Sequence, residues 1–414
     1  MSTKSDKEKG KRPRLWVVSE LYYPEMTSTG YYLTKIAEGL ADDFDVRVIC
    51  GQPNYSARGT RAPKRENLKG VEVYRGFGTR LDKNVIPFRI INMLTLGVSV
   101  FLRSLISFRN GDRVLVVTTP PLMPFLTGIA AKLRGSSHIL LIHDRYPEIL
   151  YAVGKLKRGS LTARILEMMS RSLIRSADRI IAVGRDMKKA LSGLNEESRI
   201  YVIPNWAELE TVEPGPRSEN ELLLEQGLSD KFVFLYAGNM GYPNDIETIL
   251  EAANRVRETD PEIHFIFLGA GVKKTLLEKT VKHKHLRNIT VLNSRPRSQQ
   301  QVFLNACDVG LVSLVKLMSG VSMPSRTYNI LAAGKPILAL CDRDSEVSKV
   351  LKEDNVGWSV EPGDLDGLVD VILKIKSSSE KIAEYGKNAR IAALTKYSLE
   401  KAVESYRSVF LSDS

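Results

Sequence analysis

The chain has 414 residues, 43% of them hydrophobic, and carries 60 lysines and arginines against 48 aspartates and glutamates, a formal net charge of +12. That length exceeds a single hydrophobic core and suggests about two domains, and the composition excludes a fibrous, low-complexity or disulfide-stapled protein. The surplus of positive charge points to an anionic partner: a phosphorylated ligand, a membrane face or a nucleic acid.

Residues 1–14 form a polar, Lys-rich leader without an apolar run. It is expected to be disordered, and is neither a signal peptide nor a membrane span. Residues 15–19 read as a strand, followed by a loop through Tyr23 and Pro24 to Gly30, a helix over about 31–41 and a second strand at 46–50. Strand, glycine-bearing loop, helix and strand open a doubly wound sheet. No G-x-G-x-x-G is present there, so a dinucleotide site is not expected, although the carboxyl end of the first strand is where such sheets bind ligands.

After a strand at 71–75 comes the most apolar stretch, 85–108, whose centre at 90–102 has no charge over thirteen residues. A bilayer crossing needs about twenty, so the segment reads as a buried helix. The competing reading is a face that dips into a membrane surface, with Arg89, Arg103 and Arg109 meeting lipid phosphates. A strand at 113–118, a helix at 122–133 and a strand at 138–142 follow, the last delivering His143 and Asp144 at its carboxyl end. Asp144 can accept a hydrogen bond from a substrate hydroxyl, and His143 can donate to developing negative charge; the plainer alternative is a pair that shapes the following loop.

Residues 206–220, rich in Glu, Pro and Gly without periodicity, read as a linker between a first domain at 15–205 and a second at 221–395. The second domain opens with a strand at 232–236, the loop Gly238-Asn239-Met240-Gly241 and a helix with Asn244 and Glu247 as capping box. A strand at 263–268 leads to Gly269-Ala270-Gly271, and further strands fall at 289–292, 309–313 and 337–341. Residues 396–414 are expected to form a closing helix that packs back on the first domain. Near the end of this domain Ser325 can cap a short helix and Gly334 can end it. Arg326, a cation in the first helical turn, opposes the helix dipole unless it shares an anion with the backbone N–H groups; otherwise it is a surface arginine reaching an acid. Cys50, Cys307 and Cys341 lie in or beside apolar runs and read as buried, reduced thiols. No Cys/His cluster has zinc spacing, and His283 and His285 read as solvated surface.

The loop from Tyr23-Pro24 to Gly30, the TTPPL run at 118–122, His143-Asp144 with Pro147-Glu148, Pro204-Asn205-Trp206, the 237–241 loop and Pro324-Ser325-Arg326 through Gly334-Lys335-Pro336 resemble one family. It is that of the family-4 retaining glycosyltransferases of GT-B fold, in the bacterial exopolysaccharide, O-antigen and colanic-acid branch. The resemblance covers nearly the whole chain after the leader.

It implies an α/β protein of two Rossmann-like doubly wound domains with a cleft between them. The activity implied is transfer of a sugar from a nucleotide-diphosphate sugar, a UDP-sugar, to a lipid-linked saccharide. No metal or other cofactor is expected, and no nucleic acid. By position, Ser325 and Arg326 would hold the diphosphate with Asn239 and Gly241 near it. Gly269 and the Arg295-Pro296 loop would lie by the nucleoside, Gly30 would let the first loop approach the phosphates, and Asp144 would sit near the transferred sugar. Many members carry two glutamates eight positions apart where this chain has Val321 and Asn329; Asn329 can still hydrogen-bond ribose hydroxyls, and no catalytic glutamate is assigned. The implied setting is cytoplasmic, peripheral on the inner face of the plasma membrane. A non-catalytic nucleotide-sugar-binding scaffold and a sugar-nucleotide epimerase are the competing functions.

Overall fold

The computed structural model describes residues 12–54, 59–82 and 85–412; most of the leader lies outside them. The first strand already begins at Arg14, inside the segment expected to be leader, with its guanidinium 3.4 Å from Asp112. The first domain is an eight-stranded sheet of β1 (Arg14–Val18), β2 (Asp45–Cys50), β3 (Arg65–Leu68), β4 (Val71–Arg75), β5 (Arg113–Val117), β6 (Ser137–Ile142), β7 (Arg179–Ala182) and β8 (Ile200–Val202). Its order is β3-β4-β2-β1-β5-β6-β7-β8, parallel except for the antiparallel edge strand β3. The helices are α1 (Ser28–Gly39), α2 (Ile86–Ser107), α3 (Leu122–Leu133), α4 (Glu148–Ala152), α5 (Leu161–Ser176) and α6 (Arg185–Leu191).

The second sheet, all parallel, has the order β11-β10-β9-β12-β13-β14. It is built from β9 (Phe232–Ala237), β10 (Ile263–Leu268), β11 (Ile289–Leu292), β12 (Val309–Ser313), β13 (Ile337–Leu340) and β14 (Gly357–Val360). Helices α7 (Glu221–Gln226), α8 (Ile246–Thr259), α9 (Lys274–His283), α10 (Gln300–Asn305), α11 (Arg326–Ala332), α12 (Glu346–Glu353), α13 (Leu365–Lys376) and α14 (Ser379–Thr395) belong to this domain. The central strands of both sheets are covered on both faces, so β1, β5, β6, β10, β12 and β13 are apolar almost without interruption. Each buried Val, Leu, Ile or Phe contributes about 1.5–3 kcal/mol. The architecture is thus two Rossmann-like halves.

The chain returns to its first domain at the end. In α15 (Leu399–Leu411), Phe410 meets Phe44 edge-on at 6.0 Å, Arg407 reaches Asp43 at 2.7 Å, and Val403 fills the space beside Gly39 of α1. The two crossings between domains touch: the Ala207 N–H donates to the Tyr397 carbonyl at 2.8 Å. Trp206, Ala207 and Glu208 are buried, so the linker is anchored.

Two expectations fail. The capping box at Asn244 is not formed: Asp245 caps α8 by accepting from Thr248, and Glu247 instead pairs with Lys273 at 2.7 Å. Nor is the 85–108 segment a buried helix. Only one side of α2 is covered, with Leu96 and Val100 inside and Gly97 against Leu122 and Leu126. The other side presents Ile90, Leu94, Val98, Leu102 and Ile106, 47–79% exposed. Spacing of four residues makes them a continuous stripe along the helix. By length and composition α2 could cross a bilayer, but it joins β4 to β5 of one sheet and lies flat on it.

Candidate active site

The carboxyl ends of both sheets face each other across the cleft, so the loops after β1, β6, β9 and β10 and the start of α11 converge there. The side chain of Arg326 is held from three directions. Its guanidinium lies 4.2 Å from the Tyr236 ring centroid, one Nη donates to the Asn239 carbonyl at 3.3 Å and more weakly to Asn244 Oδ1 at 3.5 Å, and the carbon is packed against Gly238. The other Nη is buried and has no hydrogen-bond partner among the described residues. A buried cationic donor left unpaired is costly, so this arrangement suits an anion arriving from the cleft.

Ser325 does not cap α11. Its hydroxyl instead shares a hydrogen bond with Ser28 of the first domain at 2.8 Å, while the Thr327 and Tyr328 N–H groups bond back to Pro324 and Ser325. The helix start therefore offers fewer spare amides than a capped α-helical turn, and the guanidinium is the fuller set of donors at this end.

The two glycine loops are zipped together. Gly238 N–H donates to Leu268, Met240 N–H to Ala270 and Lys273 N–H to Met240, at 2.7–3.0 Å. A Cβ on Gly269 would overlap the Gly238 carbonyl, and one on Gly271 the Met240 backbone. These glycines first serve loop-to-loop contact, and the exposed Asn239 with Gly241 forms the rim toward Arg326. Gly30 behaves likewise: the space its side chain would need holds the Glu25 carbonyl.

At the end of β6, Asp144 forms a single antiparallel bridge with Ser322, and the Arg145 N–H donates to the Val321 carbonyl at 2.9 Å, so the two domains meet at this carboxylate. Burial pushes the Asp144 carboxyl above its usual range, and a hydrogen bond from Ser322 opposes it. His143, half-buried, is pushed down to about 4 by desolvation and is a neutral imidazole at neutral pH; its buried Nε2 has no partner among the described residues.

Other expected residues are committed elsewhere. Arg295 pairs with Glu225, and Pro296 opens the short turn that presents the next residue, Arg297, to the cleft. Asn329 is buried and its Oδ1 accepts the Glu208 N–H at 3.2 Å, leaving its NH2 for any ligand. Sequence reasoning missed a buried group between the domains. The Tyr31 hydroxyl donates to the Glu208 carboxylate, and Arg297 lies 3.7 Å over the Tyr31 ring and 3.6 Å from Glu208. It also missed Asp186, whose Oδ2 accepts from the Gly320 and Glu346 N–H groups at 2.8 and 2.9 Å, while Arg185 pairs with Glu346 and Glu353. These residues are far apart in sequence, and no local spacing signals them.

Two family descriptions match the chain in tandem, a glycosyl transferase 4-like domain over residues 28–206 and glycosyl transferases group 1 over residues 221–392. The glycosyltransferase WbjE of Pseudomonas aeruginosa is 30% identical over 370 residues, covering 88% of this chain and 91% of the relative. WcaI of Escherichia coli, described as a colanic acid biosynthesis glycosyl transferase, is 27% identical over 84% of this chain and 88% of its own length. Among solved structures, HepE of Anabaena in complex with UDP-glucose superposes with a TM-score of 0.72 at 15% identity, covering 95% of this chain and 98% of that one. The sucrose-phosphate synthase of Thermosynechococcus elongatus superposes with a TM-score of 0.75 at 16% identity, over 96% and 99%.

Proposed function

Because the chain belongs to the glycosyltransferases of the 4-like and group 1 type, we propose that it transfers a hexose from a UDP-sugar to a lipid-linked saccharide with retention, in cell-surface polysaccharide synthesis. The observation that carries the donor half is Arg326 at the cleft, held by Tyr236 and Asn239, with one buried Nη that has no partner among the described residues. The solved HepE structure was obtained with UDP-glucose, which supports a uridine donor.

On this reading an acceptor hydroxyl attacks the anomeric carbon on the face from which the diphosphate departs. The new C–O bond forms as the bond to the phosphate oxygen breaks, and the acceptor proton passes to that oxygen. Arg326 stabilises the charge growing on the leaving diphosphate, and Asp144 orients sugar or acceptor hydroxyls. Beyond the donor and the acceptor this scheme requires no further small molecule.

The acceptor half is supported by the apolar stripe of α2, with Arg89 and Arg103 on the same helix, which suits the inner face of an anionic bilayer. Incubation with a panel of nucleotide sugars tests the donor reading through slow hydrolysis of the matching one. No hydrolysis of any donor, with acceptor or without, refutes a transferase. Sedimentation with anionic vesicles that is lost as salt rises tests the membrane reading.

A further inference from the structure

Where the loops after β7 and β13 meet, the starts of α6 and α12 join the two lobes by reciprocal bonds. The Glu346 carboxylate of the second lobe accepts the Arg185 N–H at 2.8 Å and the Arg185 Nε at 3.0 Å. The Asp186 carboxylate of the first lobe accepts the Gly320 N–H at 2.8 Å and the Glu346 N–H at 2.9 Å. Both acids are buried. The lobes come this close because residue 184 is glycine: a Cβ there would lie 3.0 Å from the Glu346 Cβ and 2.6 Å from an Asp186 oxygen.

The joint is connected in two directions. Helix α12 has eight residues and is about 12 Å long. Its far end reaches the domain crossing, where Asp354 accepts the Tyr397 hydroxyl at 2.8 Å. One helix thus spans from crossing to joint, and Arg185 lies along it, donating to Glu353 at 2.7 Å as well. In the other direction the joint holds residues 320–322. The Gly320 carbonyl accepts the Arg145 guanidinium at 3.2 Å, the Val321 carbonyl accepts the Arg145 N–H at 2.9 Å, and Ser322 bridges to Asp144. The same stretch of chain runs on through Pro324 and Ser325 into Arg326.

We propose that Asp186 and Glu346 are positioning residues: by joining the lobes they set Asp144 of the first against Arg326 of the second. The inference rests on the transferase reading above and assigns the alignment of its two halves to named side chains. Asp144 and Arg326 arrive on different lobes, so neither sheet by itself fixes their separation. The joint does, because bonds to ionised acceptors are shorter and stronger than neutral ones. It acts on both residues through one short segment, since 320–322 is held by Asp186, touches Asp144 and leads into Arg326. Alignment of this kind matters to turnover, where a misplacement of about 1 Å costs about 100-fold.

Amide hydrogen exchange on the full chain, without substrate, tests the joint. Glu346→Ala and Gly184→Val break it by different means, one removing an acid and the other wedging the lobes apart. Both leave the Asp186 carboxylate present for the Gly320 N–H. If the joint holds the lobes, exchange at Gly320 is expected to be faster by about tenfold or more in both variants, whereas a merely local role of Glu346 leaves it unchanged. Turnover of the donor identified in the nucleotide-sugar panel is then measured at saturation, beside the dissociation constant of UDP. The kcat is expected to fall by about tenfold or more, while UDP, which the reading above assigns to Arg326 within the second lobe, binds within about threefold of wild type. Glu346→Gln, whose amide oxygen can still accept from Arg185, should recover part of both losses. Unfolding midpoints establish that the lobes are intact, and two variants guard against one that fails to fold. Unchanged exchange at Gly320 in a folded variant, or faster exchange with kcat within about twofold of wild type, overturns the proposal. Turnover by wild type is scored separately: its absence with every donor removes the transferase reading, while unchanged exchange alone removes the joint.

Discussion

Arg326→Ala separates a role in chemistry from a role in the fold, because the structure sets different sizes for the two losses. In the fold, Arg326 makes one ring contact with Tyr236 and two long hydrogen bonds. A ring contact of this kind is worth about 0.5–1 kcal/mol and a hydrogen bond about 1 kcal/mol. Truncation should therefore cost about 1.5–3 kcal/mol, and at 2–4 °C per kcal/mol for a domain of this size the midpoint should fall by roughly 3–12 °C. Losing a preorganised donor aimed at developing charge costs about 2.7–4 kcal/mol of transition-state stabilisation, a fall of about 100- to 1000-fold. The assay is release of nucleoside diphosphate from the identified donor, with kcat and KM separated, beside a thermal melt. Arg326→Lys keeps the charge but not the planar fork and should fall between. A turnover within about fivefold of wild type, in a variant whose midpoint has moved, would place Arg326 in the scaffold only.

Three further outcomes follow from the geometry. Asp186→Ala leaves the Gly320 and Glu346 N–H groups unpaired and should cost about 1–3 kcal/mol for each in urea unfolding; a change under about 0.5 kcal/mol contradicts a stabilising role for these bonds. Gly269→Ala should force the two glycine loops apart and destabilise by about 1–3 kcal/mol or more, whereas Gly159→Ala, with open space around it, should cost roughly 1 kcal/mol. His138, His143 and His264 are each lowered from 6.5 to about 4, mainly by desolvation. Between those values the unfolded chain binds protons the folded chain does not, so stability is fully present above about pH 6.5 and falls as pH drops toward 4. Burial raises the carboxyls of Asp144 and Asp308, which act in the opposite sense nearer pH 4, so the window to measure is pH 7.5 to 5. Urea midpoints that do not decline across it refute the histidine account, and His138→Gln should flatten the slope.

The sheets were legible because parallel strands covered on both faces must be apolar runs, as 138–142 and 337–341 are. The edge strand β3, RENL, has no such run and was invisible, as was the short β14. Asn244 and Asp245 both suit an N-cap, and only the path of the chain decides between them. The apolar centre of α2 was plain, yet which side would be covered depends on how α3 packs, which composition does not encode. At the site, Arg326 stood out because a cation in a first helical turn breaks a local electrostatic rule. Asp186, Glu208 and Arg297 break none; their partners across the structure lie 89 to 266 residues away, and only the closed pair of domains brings them together.

The adjacent crossings at Ala207 and Tyr397 have a mechanical consequence. Since the polypeptide enters and leaves the second lobe at neighbouring points, a single proteolytic nick in either crossing leaves the lobes tethered by the other. Two bonded crossings would confine any opening of the lobes to a swing about one line instead of a free tumble. Every swing would lengthen the Ser28–Ser325 and Asp144–Ser322 contacts between the lobes before it disturbed either sheet.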